Sequence, residues 1–165
     1  MPELPEVETI RIGLAKLLPS RVIKDVWHDW YKSFPNAPAD VARFMVNAKV
    51  ESVQRRAKVL IINLSSEYSL VIHLKMTGQL VFRSQKEVFG AGHPTASLVG
   101  ELPDKSTRVI LDFTDGSKLF FNDQRKFGWM RLLPTIEVPE IDCMKKVGPE
   151  PREDDFTLDK FIVRL

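Results

Sequence analysis

Short apolar segments separated by turn signals fill the middle of the chain, and they constrain the fold more than any other feature. Residues 59–64 form an apolar run interrupted only by Asn63, which is typical of a strand buried on both faces. Asp115-Gly116 separates two such segments and indicates a tight hairpin. The predicted strands are residues 22–30, 59–64, 70–75, 79–83, 109–113, 118–121 and 127–133. We therefore predict an α+β fold, mostly β, with two antiparallel sheets packed as a sandwich.

Two helices accompany the predicted strands. Pro5 fits the first helical turn, where its missing N–H costs nothing, and Pro19 ends the helix. Apolar residues recur between them at helical spacing: Val7, Ile10, Leu14 and Leu17. A second, short helix is predicted over residues 40–46 with Asp40 as its N-cap.

Loop and linker signals divide the chain into two parts. Residues 84–106 contain several Gly and Pro and predict a long loop, which in a compact domain is usually functional. Residues 147–151, VGPEP, indicate a linker, and apolar residues after it recur at helical spacing up to Leu165. We predict one domain over residues 1–146, followed by a linker and the start of a truncated helical domain over 147–165.

Composition excludes several classes of protein. A formal net charge of +2 does not by itself indicate nucleic-acid binding. The single cysteine, Cys143, excludes an internal disulfide framework and a CxxC zinc site. No apolar run is long enough for a transmembrane helix, and the acidic, proline-broken opening is unlike a signal peptide. We expect an intracellular, reducing compartment.

The opening residues can carry covalent chemistry. Removal of Met1, which is normal before a small residue, exposes the secondary amine of Pro2. An α-amino group titrates near pH 8, so part of it is an unprotonated nucleophile at neutral pH and can form an iminium with an aldehyde-like carbon. Glu3 and Glu6 are close enough in sequence to act as general acid or base. The alternative is an ordinary helix start with acidic residues in its first turn.

Three further segments combine cations with apolar or aromatic side chains. Residues 55–58 (RRAK) are either a phosphate-binding cluster, with Lys58 held by the strand that follows, or a solvated strand end. Met76 either packs in the core or protrudes as a wedge between bases, and His73 either donates to a phosphate or is structural. In residues 122–129 an arginine can read a base edge and Phe127 can stack, or the segment is a turn with Phe127 in the core.

Together these segments resemble the formamidopyrimidine-DNA glycosylase family, bacterial enzymes of the Fpg/Nei superfamily. The motifs that carry the resemblance occur in the family's order and approximate spacing: PELPEVET (2–9), RRAK (55–58), HLKMTG (73–78), NDQRKFG (122–128) and GPEP (148–151). The resemblance covers essentially the whole chain, and the opening motif with its second-residue proline is the most specific part.

The resemblance implies catalytic roles at one end of the chain. Pro2 is implied as the nucleophile that attacks C1′ of the damaged nucleoside and forms a Schiff base. Glu3 is implied as the acid that assists sugar-ring opening, and Glu6 as a supporting carboxylate. Lys58 is implied as the lysine that contacts the lesion and the adjacent phosphate.

DNA-binding roles are implied for the later motifs. His73 resembles a phosphate ligand. Met76, Arg125 and Phe127 resemble the triad that fills the gap left by an extruded base, with Arg125 facing the orphaned cytosine. Lys126 occupies a phosphate-contact position where the family more often has arginine.

The implied function is base-excision repair of double-stranded DNA that contains oxidised purines (8-oxoguanine and formamidopyrimidines) or abasic sites, through base removal and then β,δ-elimination. Leu4 and the split triad resemble the purine-lesion branch. The chemistry needs no redox or metal cofactor, and the family is monomeric and works in the bacterial cytoplasm at the nucleoid.

One departure from the family is large. Family members continue into a helix–two-turn–helix domain and a zinc finger built on four cysteines, whereas this sequence has one cysteine. We expect a truncated form with weak or no activity on duplex DNA, because lost phosphate contacts lower affinity, and its terminal helix is expected to be free to self-associate. The alternatives are a damaged-DNA-binding module without catalysis and an inert fragment.

Overall fold

Nine strands in two antiparallel sheets dominate the computed structural model, which describes residues 3–140. The strands are β1 (Ile23–His28), β2 (Val50–Arg56), β3 (Val59–Leu64), β4 (Tyr68–His73), β5 (Gly78–Arg83), β6 (Val88–Gly92), β7 (Thr107–Phe113), β8 (Lys118–Asp123) and β9 (Trp129–Pro134). One sheet has the order β1-β7-β8-β5-β6 and the other β2-β3-β4-β9. The predicted mostly-β sandwich is confirmed. The predictions for Pro2, Cys143, the linker and the terminal helix lie outside the described residues.

Helix α1 (Leu4–Leu17) packs against β2 and β6 through its apolar stripe. Val7, Ile10 and Leu14 are buried, as the helical spacing predicts. The helix ends just before Pro19, which confirms the predicted stop. None of the helices within residues 3–140 has the length and apolar character needed to cross a membrane.

Strand β3 is buried on both faces, as its continuous apolar run predicts. Leu60 and Ile62 belong to the main core between the sheets. Val59 and Ile61 face the other way, where Val138 of the 3₁₀ segment Thr135–Glu140 covers them. A polar residue on either face would leave a buried group without a partner, which explains why the strand is almost entirely apolar.

Two strands were not predicted. β2 does not show an apolar period of two, because buried Arg55 occupies an inward position and the register shifts between Val50 and Ser52. β6 lies within the predicted loop of residues 84–106 and pairs with β5. A Cβ at Gly92 would lie 2.6 Å from the Gln79 Cα, so close backbone approach explains the glycine that made this segment resemble a loop.

Two predicted boundaries were wrong. The short helix begins with α2 (Pro38–Asp40), whose N-cap is Ala37, and Asp40 makes no capping hydrogen bond. Pro38 replaces the expected cap because it has no N–H that needs an acceptor. The last predicted strand begins at Trp129, because Phe127 lies in the preceding turn.

Candidate active site and nucleic-acid face

The N-terminus of α1 and the β2–β3 turn form one polar corner. Glu3 is the N-cap of α1, and its backbone N–H donates to Glu6 Oε1 at 2.5 Å. Lys58 Nζ donates to Glu3 Oε1 at 3.1 Å. Three of the four predicted catalytic residues are therefore in contact, and the fourth, Pro2, precedes Glu3 in the chain.

A pair that sequence reasoning missed holds this corner together. Arg55 is buried and donates through Nε to Glu8 Oε1 at 2.7 Å and through Nη1 to the Ala57 carbonyl at 3.2 Å. Ala57 has a φ of +50°, so the turn that presents Lys58 is tight. Glu8 and Arg55 are 47 residues apart, and no sequence spacing connects them.

Glu8 stays ionised because two arginines offset its burial. Burial by itself would raise the pKa of Glu8, but hydrogen bonds from Arg11 and Arg55 hold that pKa below its ordinary value. Arg11 forms its contacts at the helix surface, with a shortest N–O distance of 2.8 Å. The pair of buried Arg55 and partly buried Glu8 therefore joins α1 to the Lys58 turn.

Replacing Arg55 with methionine should lower the free energy of unfolding by about 3 kcal/mol, because Glu8 loses its buried partner. Arg11→Met is the matched control and should cost no more than about 1 kcal/mol, since Arg11 pairs at the surface. Urea unfolding measures both. The pKa of Glu8 is lowered on folding, so its stabilisation is present above pH 4.5 and is lost as the pH falls further, and R55M should weaken this acid dependence. Equal losses for the two variants would contradict the assignment.

His73, the last residue of β4, is positioned as a neutral hydrogen-bond donor. Its Nδ1 accepts the backbone N–H of Lys75 at 3.1 Å, which assigns the ring proton to Nε2. Burial, together with the positive charges of Lys75 and Lys58, lowers the pKa of His73 from 6.5 to about 4. A neutral imidazole beside two lysines can donate Nε2–H to an anion such as a phosphate at pH 7.

The titration of His73 gives a direct test. We expect its imidazole signal to titrate near pH 4 in a two-dimensional NMR experiment. The pKa of His73 is about 4 in the folded protein and 6.5 as the reference for the unfolded chain. The contribution of neutral His73 to the free energy of unfolding should therefore be fully present above pH 6.5 and fall as the pH drops towards 4. The full shift corresponds to about 3 kcal/mol, and solvent around the half-buried ring reduces this to about 1–2 kcal/mol. His73→Gln should remove that part of the acid dependence, and a signal titrating near 6.5 would contradict the placement.

Met76 and the segment from Arg125 to Phe127 meet at one end of the five-stranded sheet, beside the ends of β5 and β8. β5 and β8 are paired with Gly78 opposite Asp123, so the turn before β5 and the turn after β8 are neighbours. Met76 and Phe127 are 41% and 49% exposed, so neither is the core residue that the alternative interpretation expected. The Arg125 guanidinium lies 4.9 Å from the centre of the Phe127 ring. This places the three predicted triad residues on one exposed ridge.

Asp123 connects these two turns, and it was not predicted. Its buried carboxylate accepts hydrogen bonds from the Thr77 hydroxyl, from the Arg125 N–H at 3.2 Å and from the Gly128 N–H at 2.6 Å. A Cβ at Gly128 would lie 2.7 Å from the His73 carbonyl oxygen, so only glycine fits there. The turn that carries Arg125 is thereby fixed to the turn that carries Met76.

Lys126 lies on the same turn with a φ of +63°, and its Nζ is 5.0 Å from the centre of the Trp30 ring. Strand pairing connects this turn with the polar corner. Val59 is opposite His73, and His73 is opposite Trp129, so the ends of β3, β4 and β9 lie together. The described site residues therefore share one end of the sandwich.

No metal centre is evident on this face: within residues 3–140 no three His, Cys, Asp or Glu side chains are grouped to hold a metal ion. The chemistry available from the described residues is that of carboxylates, a lysine and a neutral histidine. The exposed apolar side chains and cations beside them suit a nucleic acid with a disturbed base stack.

Comparisons with known proteins match this chain to one family. Residues 1–130 match the family model of the formamidopyrimidine-DNA glycosylase N-terminal domain. The formamidopyrimidine-DNA glycosylase of Ligilactobacillus salivarius is 38% identical over 166 residues, which cover 100% of this chain and 55% of that protein. That of Chloroflexus aurantiacus is 37% identical over 166 residues, which cover 100% of this chain and 54% of that protein.

A solved structure of Lactococcus lactis Fpg (MutM) in complex with Fapy-dG-containing DNA superimposes with a TM-score of 0.75 and 27% identity, over 93% of this chain and 52% of that one. A complex of the wild-type Lactococcus lactis protein with DNA containing an oxidised pyrimidine gives the same TM-score of 0.75 at 28% identity, over 94% of this chain and 53% of that one. The chain thus spans about half the length of the relatives it matches. It belongs to the formamidopyrimidine-DNA glycosylase family, and the part of that family it carries is the N-terminal domain.

Proposed function

We propose that this chain is the catalytic part of a DNA glycosylase and abasic-site lyase that removes oxidised purines. The observation that carries the proposal is the contact between Lys58 and Glu3, because it gathers acid–base groups next to the residue that follows Pro2. The ridge of Met76, Arg125 and Phe127 lies at the same end of the sandwich and supports DNA as the substrate.

The proposed reaction starts at the amine of Pro2 after Met1 is removed. Its lone pair forms a bond to C1′, and the electron pair of the glycosidic bond leaves with the damaged base, which takes up a proton. The sugar ring then opens as C1′ forms an iminium with the proline nitrogen, and Glu3 supplies the proton to the ring oxygen. The iminium acidifies C2′–H, whose loss expels the 3′ phosphate, and a second elimination expels the 5′ phosphate.

The lesion must leave the base stack before this reaction can begin. Extrusion costs a few kcal/mol, and side chains inserted into the gap recover part of that cost. Met76 and Phe127 are proposed to fill the gap, and Arg125 to face the orphaned base. Lys58, His73 and Lys126 are proposed to hold phosphates, His73 through its neutral Nε2–H.

The preference for purine lesions rests on the resemblance of Leu4 and the split triad to the purine-lesion branch, because the Lactococcus lactis structures include DNA with Fapy-dG and DNA with an oxidised pyrimidine. The remaining parts of the proposal follow the family. Residues 1–146 form one catalytic domain, and the protein acts as a monomer on bacterial DNA in the cytoplasm. The proposed steps use no redox or metal cofactor in this chain.

Borohydride trapping tests the proposal. The protein is incubated with a duplex that contains an abasic site or 8-oxoguanine, and borohydride then reduces the iminium to a stable amine. A covalent protein–DNA adduct supports the enzyme. A DNA-binding module without catalysis is the second candidate, since the exposed Met76, Arg125 and Phe127 could bind DNA without a reaction, and salt-dependent binding without an adduct at high protein concentration would favour it.

A further inference from the structure

Two exposed aromatic side chains lie beside the ridge and have no part in the proposed function so far. Trp30 and Tyr31, which we call the aromatic shelf, are 37% and 65% exposed. Trp30 contacts the turn of Arg125, Lys126 and Phe127, which we call the insertion turn, because the Lys126 Nζ lies 5.0 Å from the centre of the Trp30 ring. A lysine over an indole face is held in place by the attraction of the cation to the ring electrons.

The shelf stands on an anchored segment. On its N-terminal side, the Asp29 N–H donates to the Arg108 carbonyl at 3.1 Å, and Arg108 Nη1 donates to Asp29 Oδ2 at 2.6 Å. On its C-terminal side, Asn36 Nδ2 donates to the Met130 carbonyl at 3.1 Å, and Asn36 Oδ1 accepts the Leu132 N–H at 2.7 Å. The aromatic rings are thus presented from a fixed backbone, so little conformational entropy is lost when they bind a partner.

Arg108 also fixes the shelf relative to the insertion turn. It is buried, and its Nε donates to the Asp123 carbonyl at 3.1 Å. Asp123 holds the turn of Arg125, Lys126 and Phe127 through its carboxylate. The shelf and the insertion turn therefore share one rigid frame.

The charges around the shelf favour a polyanion. Lys32 is exposed next to Tyr31, and Lys126 and Arg125 are exposed on the neighbouring turn. The carboxylate of Asp29, which lies beside Trp30 in sequence, is paired with Arg108. Aromatic faces interleaved with cations are the arrangement that binds nucleic acids, since the rings contact bases or sugars while the cations contact phosphates.

We propose that the aromatic shelf extends the DNA-binding face beyond Met76, Arg125 and Phe127. Trp30 holds Lys126 towards a backbone phosphate, and Tyr31 packs against a base or sugar next to the disturbed stack. This proposal rests on the proposed function, because it takes the ridge as the part that meets DNA.

Fluorescence anisotropy with a labelled duplex that contains a tetrahydrofuran abasic-site analogue, at low salt, tests the shelf. We expect Tyr31→Ala and Trp30→Leu each to weaken binding five- to tenfold. Trp27→Ala is the matched control: Trp27 is 46% exposed on β1, and we expect its loss to change binding less than twofold. The double variant Trp30→Leu, Lys126→Gln should bind the duplex at most twofold more weakly than whichever single variant binds less tightly. The reason is that both substitutions remove the same phosphate contact.

The variants separate failure of the shelf from failure of the proposed function. If Met76→Ala and Arg125→Ala weaken binding but Tyr31→Ala and Trp30→Leu do not, the shelf proposal alone is overturned. If the wild-type chain does not bind this duplex, the proposed function fails with it. Thermal unfolding checks each variant, and if Trp30→Leu fails to fold, the highly exposed Tyr31 carries the test.

Discussion

We expect Pro2→Leu to reduce the borohydride-trapped adduct at least 100-fold. A large second residue prevents removal of Met1, so the free amine moves one residue away from Glu3 and Lys58. Covalent catalysis depends on the reacting atoms being held in near-contact, and such a displacement removes that advantage. Denaturing gel electrophoresis of the reduced mixture measures the adduct, and intact mass reports whether Met1 is present.

Pro2→Ala is the matched control for this result. Alanine is small, so Met1 is still removed and a primary amine remains at the same position. This variant should keep a measurable part of the trapped adduct, because a primary amine also forms an iminium. Equal adduct in wild type and Pro2→Leu would show that another group is the nucleophile, and the catalytic assignment of Pro2 would have to be abandoned.

Asp123→Ala should lower the free energy of unfolding by about 3 kcal/mol and weaken DNA binding about tenfold. The substitution leaves the Thr77 hydroxyl and the Gly128 N–H without their acceptor, and each buried unpaired group costs about 1–3 kcal/mol. The Arg125 N–H keeps a second acceptor, the Thr77 hydroxyl oxygen at 3.1 Å, but without the carboxylate the turn of Arg125 and Phe127 is held less firmly to the turn of Met76. Urea unfolding measures the first effect and anisotropy with the abasic-analogue duplex the second.

Asp112→Ala is the control for this substitution. Asp112 forms a surface ion pair with Lys118, so its loss should cost no more than about 1 kcal/mol and leave DNA binding unchanged. Asp123→Asn keeps the shape and one acceptor oxygen, and it serves if the alanine variant does not fold. If both Asp123 variants bind DNA as tightly as wild type, Asp123 does not position the ridge.

Local patterns predicted the elements whose packing surface is simple. α1 and β3 are read from spacing alone, because each buries a continuous apolar stripe or run. β2 and β6 were missed because β2 has a buried arginine and a register shift and β6 is rich in glycine. Their strand character comes from pairing with β3 and β5, which only the fold supplies.

In the candidate site, too, residue types could be recognised from the sequence, whereas contacts between distant segments could not. Glu3, Lys58, His73 and the 125–127 segment were singled out in the sequence as carboxylate, cation and aromatic side chains, and the family resemblance supplied the role of each. The spatial proximity of these residues could not be predicted from the sequence. The positioning roles of Arg55 and Asp123 could not be predicted either, because each bonds to a residue on another element that is distant in the chain.

The amino-acid sequence by itself thus determined the chemical inventory and the antiparallel sandwich, because both depend on residue type and on local periodicity. The tertiary structure decided which groups meet. Strand pairing brought the ends of β3, β4, β5, β8 and β9 to one end of the molecule, and buried hydrogen bonds to Arg55, Arg108 and Asp123 fixed the turns there. A buried polar group is stable only where its partners are, so contacts between distant segments, and not spacing along the chain, set the geometry of the site.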